Sequence, residues 1–174
     1  TYLIFFQRCF AGLVDQAFLI DLSGRAIWGK SQGVEVPNSS MSRRLCTRTN
    51  IFRDCKPSDE DRTKIASAFQ DNSKAFEEGI TLNGTRYTVT EIRETPVEEK
   101  NIPILHAAQL DTLIRSPVLA RNSLTYRVAE KEGVIAAKCA QSILVAHYPE
   151  SVSQRNNSIS FIAMQAAHLM KNNL

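Results

Sequence analysis

The sequence lacks the features that mark membrane, metal-binding and redox proteins. None of its apolar runs reaches the roughly 18 residues that a bilayer-spanning helix needs. The cysteines form no C-x-x-C pair, which argues against a zinc or redox motif, so we expect no metal site and no cofactor. A Cys46–Cys55 disulfide is compatible with the spacing, and free thiols in a reducing compartment are the alternative. The cysteines are Cys9, Cys46, Cys55 and Cys139.

Recognisable catalytic arrangements are also missing. No two of His106, His147 and His168 lie four residues apart, so the histidines do not have the spacing of metal ligands on a helix. No elbow motif marks a serine nucleophile, and residues 79–86 lack the lysine of a phosphate-binding loop. We therefore expect no catalytic residue and no enzymatic activity.

Positive and negative charges nearly balance in this sequence. The chain has 21 Lys and Arg against 18 Asp and Glu, a net charge of +3. The whole excess lies in residues 37–55, which hold four arginines and one aspartate. So small an excess does not indicate a nucleic-acid binder. With 43% hydrophobic and 22% charged residues, the composition is that of one globular domain over residues 1–174.

The first half of the chain predicts a helix, a hairpin and a second helix. Residues 2–11 have a broad apolar face, and no signal peptide is expected because the apolar stretch breaks at Gln7. Strands are predicted at 17–20 and 26–28, and residues 37–55 are predicted to be a loop. A helix capped by Ser58 comes next. Asn83 and Gly84 then predict a tight turn between strands 80–82 and 86–92.

The second half predicts more strands and a closing helix. Residues 95–122 are interpreted as a second inserted segment, with a short amphipathic helix at 104–114 between Pro103 and Pro117. Strands are predicted at 124–128, 133–139 and 142–148, and a helix at 158–171. The sequence therefore predicts an antiparallel α+β domain with a central sheet flanked by N- and C-terminal helices.

In this order, the segments resemble the profilin family. The hairpin ending in Trp28 looks like the first profilin hairpin, and residues 56–69 are similar to its middle helix. Residues 79–87, GITLNGTRY, match the most recognisable profilin segment, and 157–169 resemble the closing helix. Without residues 37–55 and 95–122, the chain has the size of a compact profilin, so the resemblance implies a profilin-like fold with two insertions.

The resemblance also implies a function and a set of contact residues. It implies binding of monomeric actin, regulation of actin polymerisation and a cytoplasmic, cytoskeletal location, with proline-rich peptides and phosphoinositides as further ligands. The implied actin contacts are Arg86, Thr88, Arg127 and Lys131. The implied polyproline contacts are Tyr2, Phe5, Trp28, His168 and Leu169. The arginine-rich loop suggests phosphoinositide contacts at Arg43, Arg44 and Arg48.

A second interpretation belongs to a different class of protein. A longin- or roadblock-like scaffold domain has a similar helix-sheet-helix arrangement, and it binds small GTPases or itself. Recovery of GTPases without actin in a pull-down experiment would favour this alternative.

Overall fold

An antiparallel sheet of seven strands organises the structure, a computed structural model that describes residues 13–30, 57–110, 130–149 and 155–172. The strand order is β2-β1-β7-β6-β5-β4-β3. The strands are β1 (Gln16–Asp21), β2 (Ile27–Lys30), β3 (Ile80–Leu82), β4 (Thr85–Val97), β5 (Lys100–Leu110), β6 (Glu130–Lys138) and β7 (Ser142–Tyr148). The helices are α1 (Asp59–Ala68), α2 (Asn72–Glu78) and α3 (Arg155–Lys171).

The pairing register defines two ends of the sheet. β1 pairs with β7 without a slip, from Gln16 opposite His147 to Asp21 opposite Ser142. We call these the Gln16 end and the Asp21 end. β4 is much longer than its neighbour β3, which pairs only with Thr85–Tyr87. The rest of β4 pairs with β5 alone, interrupted by a bulge between Val89 and Glu91.

α1 and α2 cover one face of the sheet, called here the α1–α2 face. Ser58 and Asp61 begin α1 with a capping box: the Ser58 hydroxyl accepts from the Asp61 amide, and the Asp61 carboxylate accepts from the Ser58 amide. Asp71 caps α2 by accepting from the Lys74 amide. The buried residues of this face include Phe18, Ile20, Ile65, Ala66, Leu105, Val134 and Val145.

A buried arginine joins α1 to the β1–β2 turn. The Arg62 guanidinium donates to the carbonyls of Gly24, Arg25 and Pro57 at 3.1–3.2 Å, and it pairs with the Asp59 carboxylate at 2.6 Å. Gly24 has φ +74°, and a Cβ there would lie 2.5 Å from the Arg62 carbonyl oxygen. Glycine is therefore required by both the backbone angle and the close approach of α1.

α3 covers the opposite face, called here the α3 face. It begins at the Gln16 end, where the Ser158 hydroxyl donates to the Leu13 carbonyl at 3.0 Å. It finishes at the Asp21 end, where Lys171 Nζ lies 2.6 Å from Glu98 Oε2 in the β4–β5 turn. The helix is packed on the sheet through small and aliphatic residues: Ile159, Ile162, Ala163, Ala166, Ala167 and Leu169.

The predicted α+β fold with an antiparallel sheet and a C-terminal helix is confirmed. The helix predicted at 104–114 is wrong, because Lys100–Leu110 forms β5 between β4 and β6. Residues 95–97 and 100–110 of the segment interpreted as an insertion therefore belong to the sheet, and residues 111–122 lie outside the described residues. The predicted loop at 37–55, helix at 2–11 and strand at 124–128 lie outside the described residues.

Candidate functional site

Arg86 and Thr88 lie side by side on the outer surface of β4. Both side chains are exposed. Tyr87, which lies between them, and Val89, which follows Thr88, are buried on the α1–α2 face. The alternation of a strand therefore points Arg86 and Thr88 to the same side, that of the α3 face. Of the four residues implied as actin contacts, the structure brings these two together. Lys131 belongs to β6, and Arg127 lies outside the described residues.

The Asn83–Gly84 turn holds the beginning of β4 in place. Both residues have positive φ, +52° and +81°, as a tight hairpin turn requires. The Asn83 side-chain amide donates to Gln16 Oε1 at 2.9 Å, and its backbone N–H donates to Asp61 Oδ2 at 3.3 Å. The turn is thus attached to both β1 and α1.

Asp61 is the charged group at the centre of this attachment. Its carboxylate accepts from the Thr81 hydroxyl at 2.5 Å in addition to its bonds with Ser58 and Asn83. Burial acts to raise the pKa of Asp61, but these hydrogen bonds outweigh it and hold the pKa below its usual value. The ionised carboxylate is therefore the form that the fold favours.

A polar cluster lies behind β4 on the α1–α2 face, in which Tyr87 and His147 are buried and the Glu132 side chain is 33% exposed. The Tyr87 hydroxyl donates to Glu132 Oε1 at 3.1 Å, and Glu132 Oε2 lies 3.6 Å from His147 Nε2. The other ring nitrogen of His147 lies 2.5 Å from Asp15 Oδ1. Burial, followed by the charge of Glu132, raises the pKa of Tyr87 above its usual value. We call Asp15, Tyr87, Glu132 and His147 the His147 cluster.

A second polar chain crosses the α3 face at the same end of the sheet. His106 Nδ1 lies 2.6 Å from the Thr90 hydroxyl, and its Nε2 lies 2.6 Å from the Tyr148 hydroxyl. The Tyr148 ring lies over Gly133, where a Cβ would come within 2.3 Å of the hydroxyl oxygen. A side chain at position 133 would thus displace Tyr148 from His106.

The residues implied as polyproline contacts are only partly brought together. Trp28 is 44% exposed on β2, at the point where the pairing of β2 with β1 shifts register between Leu19 and Ile20. His168 is exposed in the last turns of α3, at the Asp21 end. Leu169 is buried on the side of α3 that faces the sheet, so the implied polyproline contact at Leu169 is wrong.

Other predicted contacts lie outside the described residues, namely Tyr2, Phe5, Arg43, Arg44 and Arg48.

Within residues 13–30, 57–110, 130–149 and 155–172, no group of three or more His, Cys, Asp and Glu residues could hold a metal ion. No helix in the same part of the chain is long and apolar enough to cross a membrane. Cys139 is buried, and burial raises the pKa of its thiol to about 11, so the unreactive thiol form dominates at neutral pH.

Sequence reasoning did not find the His147 cluster. Asp15 and His147 are 132 positions apart, and they meet only because β1 and β7 are neighbours in the sheet. His147 does follow an apolar strand, which is a signal for a sheet residue, but nothing near it in the sequence identifies its partners.

Comparisons with known proteins agree on one family. A family model described as Profilin matches residues 9–174. Schizosaccharomyces pombe profilin is 19% identical with a TM-score of 0.59, and Acanthamoeba castellanii profilin II is 20% identical with a TM-score of 0.57. Each match covers 94% of this chain and 90% of the other.

A further similar structure is mouse profilin IIa in complex with a double repeat from the FH1 domain of mDia1. It is 10% identical, its TM-score is 0.51, and the match covers 94% of this chain and 91% of the mouse chain. None of the curated protein sequences compared with this chain matches it. These solved structures share the fold, and the family match extends over nearly the whole sequence, so this chain belongs to the profilin family.

Proposed function

We propose that this protein binds monomeric actin and slows the nucleation of actin filaments. The observation that carries the proposal is the profilin-family match over residues 9–174. Because this family acts by binding and not by catalysis, the proposal is a binding function. Membership of the profilin family also argues against the longin- or roadblock-like alternative. It supports a cytoplasmic location with the actin cytoskeleton.

The proposed actin contact is centred on Arg86 and Thr88. They present a cation and a hydroxyl on one exposed strip of β4, next to a turn that is tied to β1 and α1. A fixed cation of this kind suits an acidic protein surface, since complementary charge speeds association and sets the orientation of the partners. Arg127 and Lys131 are proposed as further basic contacts for actin.

A polymerisation assay with pyrene-labelled actin tests the proposal. We expect excess protein to lengthen the lag phase, and we expect Arg86→Glu to weaken this effect because it places like charges against each other. Lys64→Glu on α1 makes the same charge change away from β4 and serves as the matched control. An unaltered lag phase with the wild-type protein would refute actin binding, and equal effects of the two variants would remove Arg86 from the contact.

Proline-rich peptides are the second proposed ligand. Trp28 is half-exposed on β2 and His168 is exposed near the end of α3, and Tyr2 and Phe5 are proposed to join them. Stacked aromatic rings favour the preformed polyproline helix. Since Trp28 is the only tryptophan, a change in tryptophan fluorescence during a peptide titration reports on this site alone. We expect His168→Ala to weaken binding and Met164→Ala, an exposed position one turn earlier, to leave it unchanged.

Phosphoinositides are the third proposed ligand, through Arg43, Arg44 and Arg48. These residues lie in the segment that carries the whole positive excess of the sequence. Binding of this kind is electrostatic, so we expect affinity for vesicles containing phosphoinositide to fall as salt is raised. Salt-independent binding, or full binding after all three arginines are changed to glutamine, would contradict it.

A further inference from the structure

The Asn83–Gly84 turn combines two residues that can react with each other. Asn83 is the only asparagine in the sequence that is followed by glycine. Both residues are exposed, and a Cβ on Gly84 would meet no atom of the described residues within 4 Å. Because glycine has no side chain, its backbone nitrogen is less hindered than that of any other residue that could follow an asparagine. The side-chain amide of Asn83 therefore has an open neighbour in the chain.

The reaction between them is deamidation, and water is its only co-reactant. The Gly84 backbone nitrogen attacks Cγ of Asn83, and its proton departs with the side-chain NH2 group as ammonia. Water then opens the five-membered succinimide: its hydroxyl adds to one of the two carbonyl carbons, and its hydrogen returns to the Gly84 nitrogen. Opening at the backbone carbonyl gives isoaspartate, and opening at the side-chain carbonyl gives aspartate. Either product is a carboxylic acid that is ionised at neutral pH.

The fold restrains this reaction through a side-chain hydrogen bond. The Asn83 amide nitrogen donates to Gln16 Oε1 at 2.9 Å, and Gln16 is buried at the beginning of β1. Cyclisation requires Cγ of Asn83 to come within bonding distance of the Gly84 nitrogen. A side chain that is held in one rotamer by a hydrogen bond samples other geometries less often than a free one. The bond to Gln16 thus slows the loss of the amide.

The products do not fit the turn as asparagine does. A carboxylate has no donor to replace the NH2 group, so the bond to Gln16 Oε1 is lost. The new charge belongs to the residue whose backbone N–H contacts the Asp61 carboxylate, so like charges come close together. Isoaspartate also adds an atom to the main chain of a two-residue turn. β3 and β4 are joined by only three residue pairs, which leaves little pairing to absorb this change.

We infer that Asn83 is a deamidation site, that its hydrogen bond to Gln16 slows the reaction, and that the products detach the β3–β4 turn from β1 and α1. The modification is a property of the free protein, and its extent rises with the age of the molecule. The inference rests on the proposed function only in its last consequence. Because the turn leads directly into Arg86, modified protein binds monomeric actin less tightly than fresh protein.

Peptide mapping by mass spectrometry tests the site. The purified protein is incubated at mildly alkaline pH, where the Gly84 nitrogen loses its proton more readily, and is sampled over time. We expect aspartate and isoaspartate to accumulate at Asn83. Asn72 and Asn101 are also exposed but are followed by serine and isoleucine, so they serve as internal controls and remain unmodified. No product at Asn83, or equally fast reaction at the controls, overturns the inference.

Gln16→Ala tests the restraint. We expect Asn83 to react about two- to ten-fold faster in this variant, the range that the loss of one hydrogen bond of ordinary strength provides. Gln70→Ala makes the same change at an exposed glutamine after α1 and leaves the rate unchanged. If Gln16→Ala does not fold, the wild type in guanidinium chloride supplies the comparison, since unfolding also removes the bond. A rate no higher than that of the native wild type overturns the restraint.

Modified protein, separated from fresh protein by ion exchange, tests the structural and functional consequences. Hydrogen exchange at the Thr85 and Arg86 amides is faster in the modified protein, and unchanged exchange overturns the detachment of the turn. Modified protein also lengthens the lag phase of pyrene-actin polymerisation less than fresh protein does. Asn101→Asp adds the same charge at the β4–β5 turn and retains the full effect. Equal lag phases for fresh and modified protein overturn the functional consequence.

The two proposals fail in different ways. Reaction at Asn83 in a protein that never affects actin, fresh or modified, supports the modification site and overturns the proposed function. Slowed polymerisation by a protein in which Asn83 does not react overturns this inference alone.

Discussion

The two faces of the sheet are covered by different means. Among the described residues, the α3 face is covered by one helix of 17 residues, whose alanines and aliphatic side chains lie directly on the strands. The α1–α2 face is covered by shorter helices that also depend on buried polar groups, above all Arg62 and Asp61. Apolar contact is insensitive to pH and tolerates small shifts, whereas hydrogen bonds demand fixed geometry and a defined charge. The turn that precedes Arg86 and Thr88, the proposed contact residues on β4, is attached to Asp61 and Gln16 by hydrogen bonds.

The largest loss of stability is expected from truncating α3. Ile162 is fully buried against the sheet, so Ile162→Ala removes apolar contact and leaves a cavity. We expect the free energy of unfolding to fall by about 2–5 kcal/mol, measured by urea denaturation. Met164→Ala on the exposed side of the same helix is the control, with little change. A loss as small as that of the control would mean that α3 contributes little to the core.

The next largest effect is expected at Arg62. Arg62→Met keeps the length of the side chain but leaves the carbonyls of Gly24, Arg25 and Pro57 without their donor. We expect the free energy of unfolding to fall by about 1–3 kcal/mol, and hydrogen exchange in the β1–β2 turn to accelerate. Arg25→Met, at an exposed arginine, provides the comparison. Unchanged exchange in the turn would show that Arg62 does not hold it.

A smaller, pH-dependent effect is expected at Asp61. Its folded-state pKa lies below its usual value, so the ionised carboxylate adds stability that is fully present above the unfolded-state pKa of about 3.9 and is lost as pH falls through the folded-state pKa. Asp61→Asn should cost about 1 kcal/mol near neutral pH. Urea denaturation at several pH values should show the wild type and the variant converging below about pH 4. A constant difference down to acid pH would contradict this account.

The smallest effect is expected at the exposed link between α3 and the β4–β5 turn. Lys171 hydrogen-bonds Glu98 and lowers the pKa of that carboxylate, but both side chains are more than half exposed. Lys171→Ala should therefore destabilise the protein less than any change above, and added salt should remove the difference. A loss that persists in high salt would show that this pair matters more than its exposure indicates.

Local signals predicted much of this fold. Ser58 caps α1, Asn83 and Gly84 form the β3–β4 turn, and the spacing of Ile162, Ala166 and Leu169 matches the buried side of α3. Each of these features is encoded within a few neighbouring residues. The α1–α2 face was predicted less well, since the short helix α2 was not expected at all.

The central strand β5 was mistaken for a helix for a physical reason. Ile104 is buried on the α3 face and Leu105 on the α1–α2 face, so the strand is apolar on both sides and its pattern does not alternate. A short apolar run of this kind does not distinguish a buried strand from a buried helix. Pro103 also suggested a helix boundary, although it lies where β5 has not yet begun to pair with β6.

The candidate site was predicted less well than the fold. Leu169 has the position of a ligand contact in the family resemblance, yet its place on the apolar side of α3 buries it in the core. His147 and Asp15 meet only after β1 and β7 pair. The exposed pair on β4, by contrast, results from strand alternation alone and could be predicted from the sequence.

The unequal lengths of β3 and β4 have a consequence for behaviour at high concentration. Beyond Tyr87, no strand in the described part of the chain pairs with the outer edge of β4. Unpaired main-chain donors and acceptors on a strand edge can recruit a second molecule. The bulge at Val89–Glu91 twists that edge, Arg93 and Glu94 place exposed charges along it, and Pro96 lacks an N–H to donate. These features discourage intermolecular strand addition along β4 and so lower the tendency of this strand to promote aggregation.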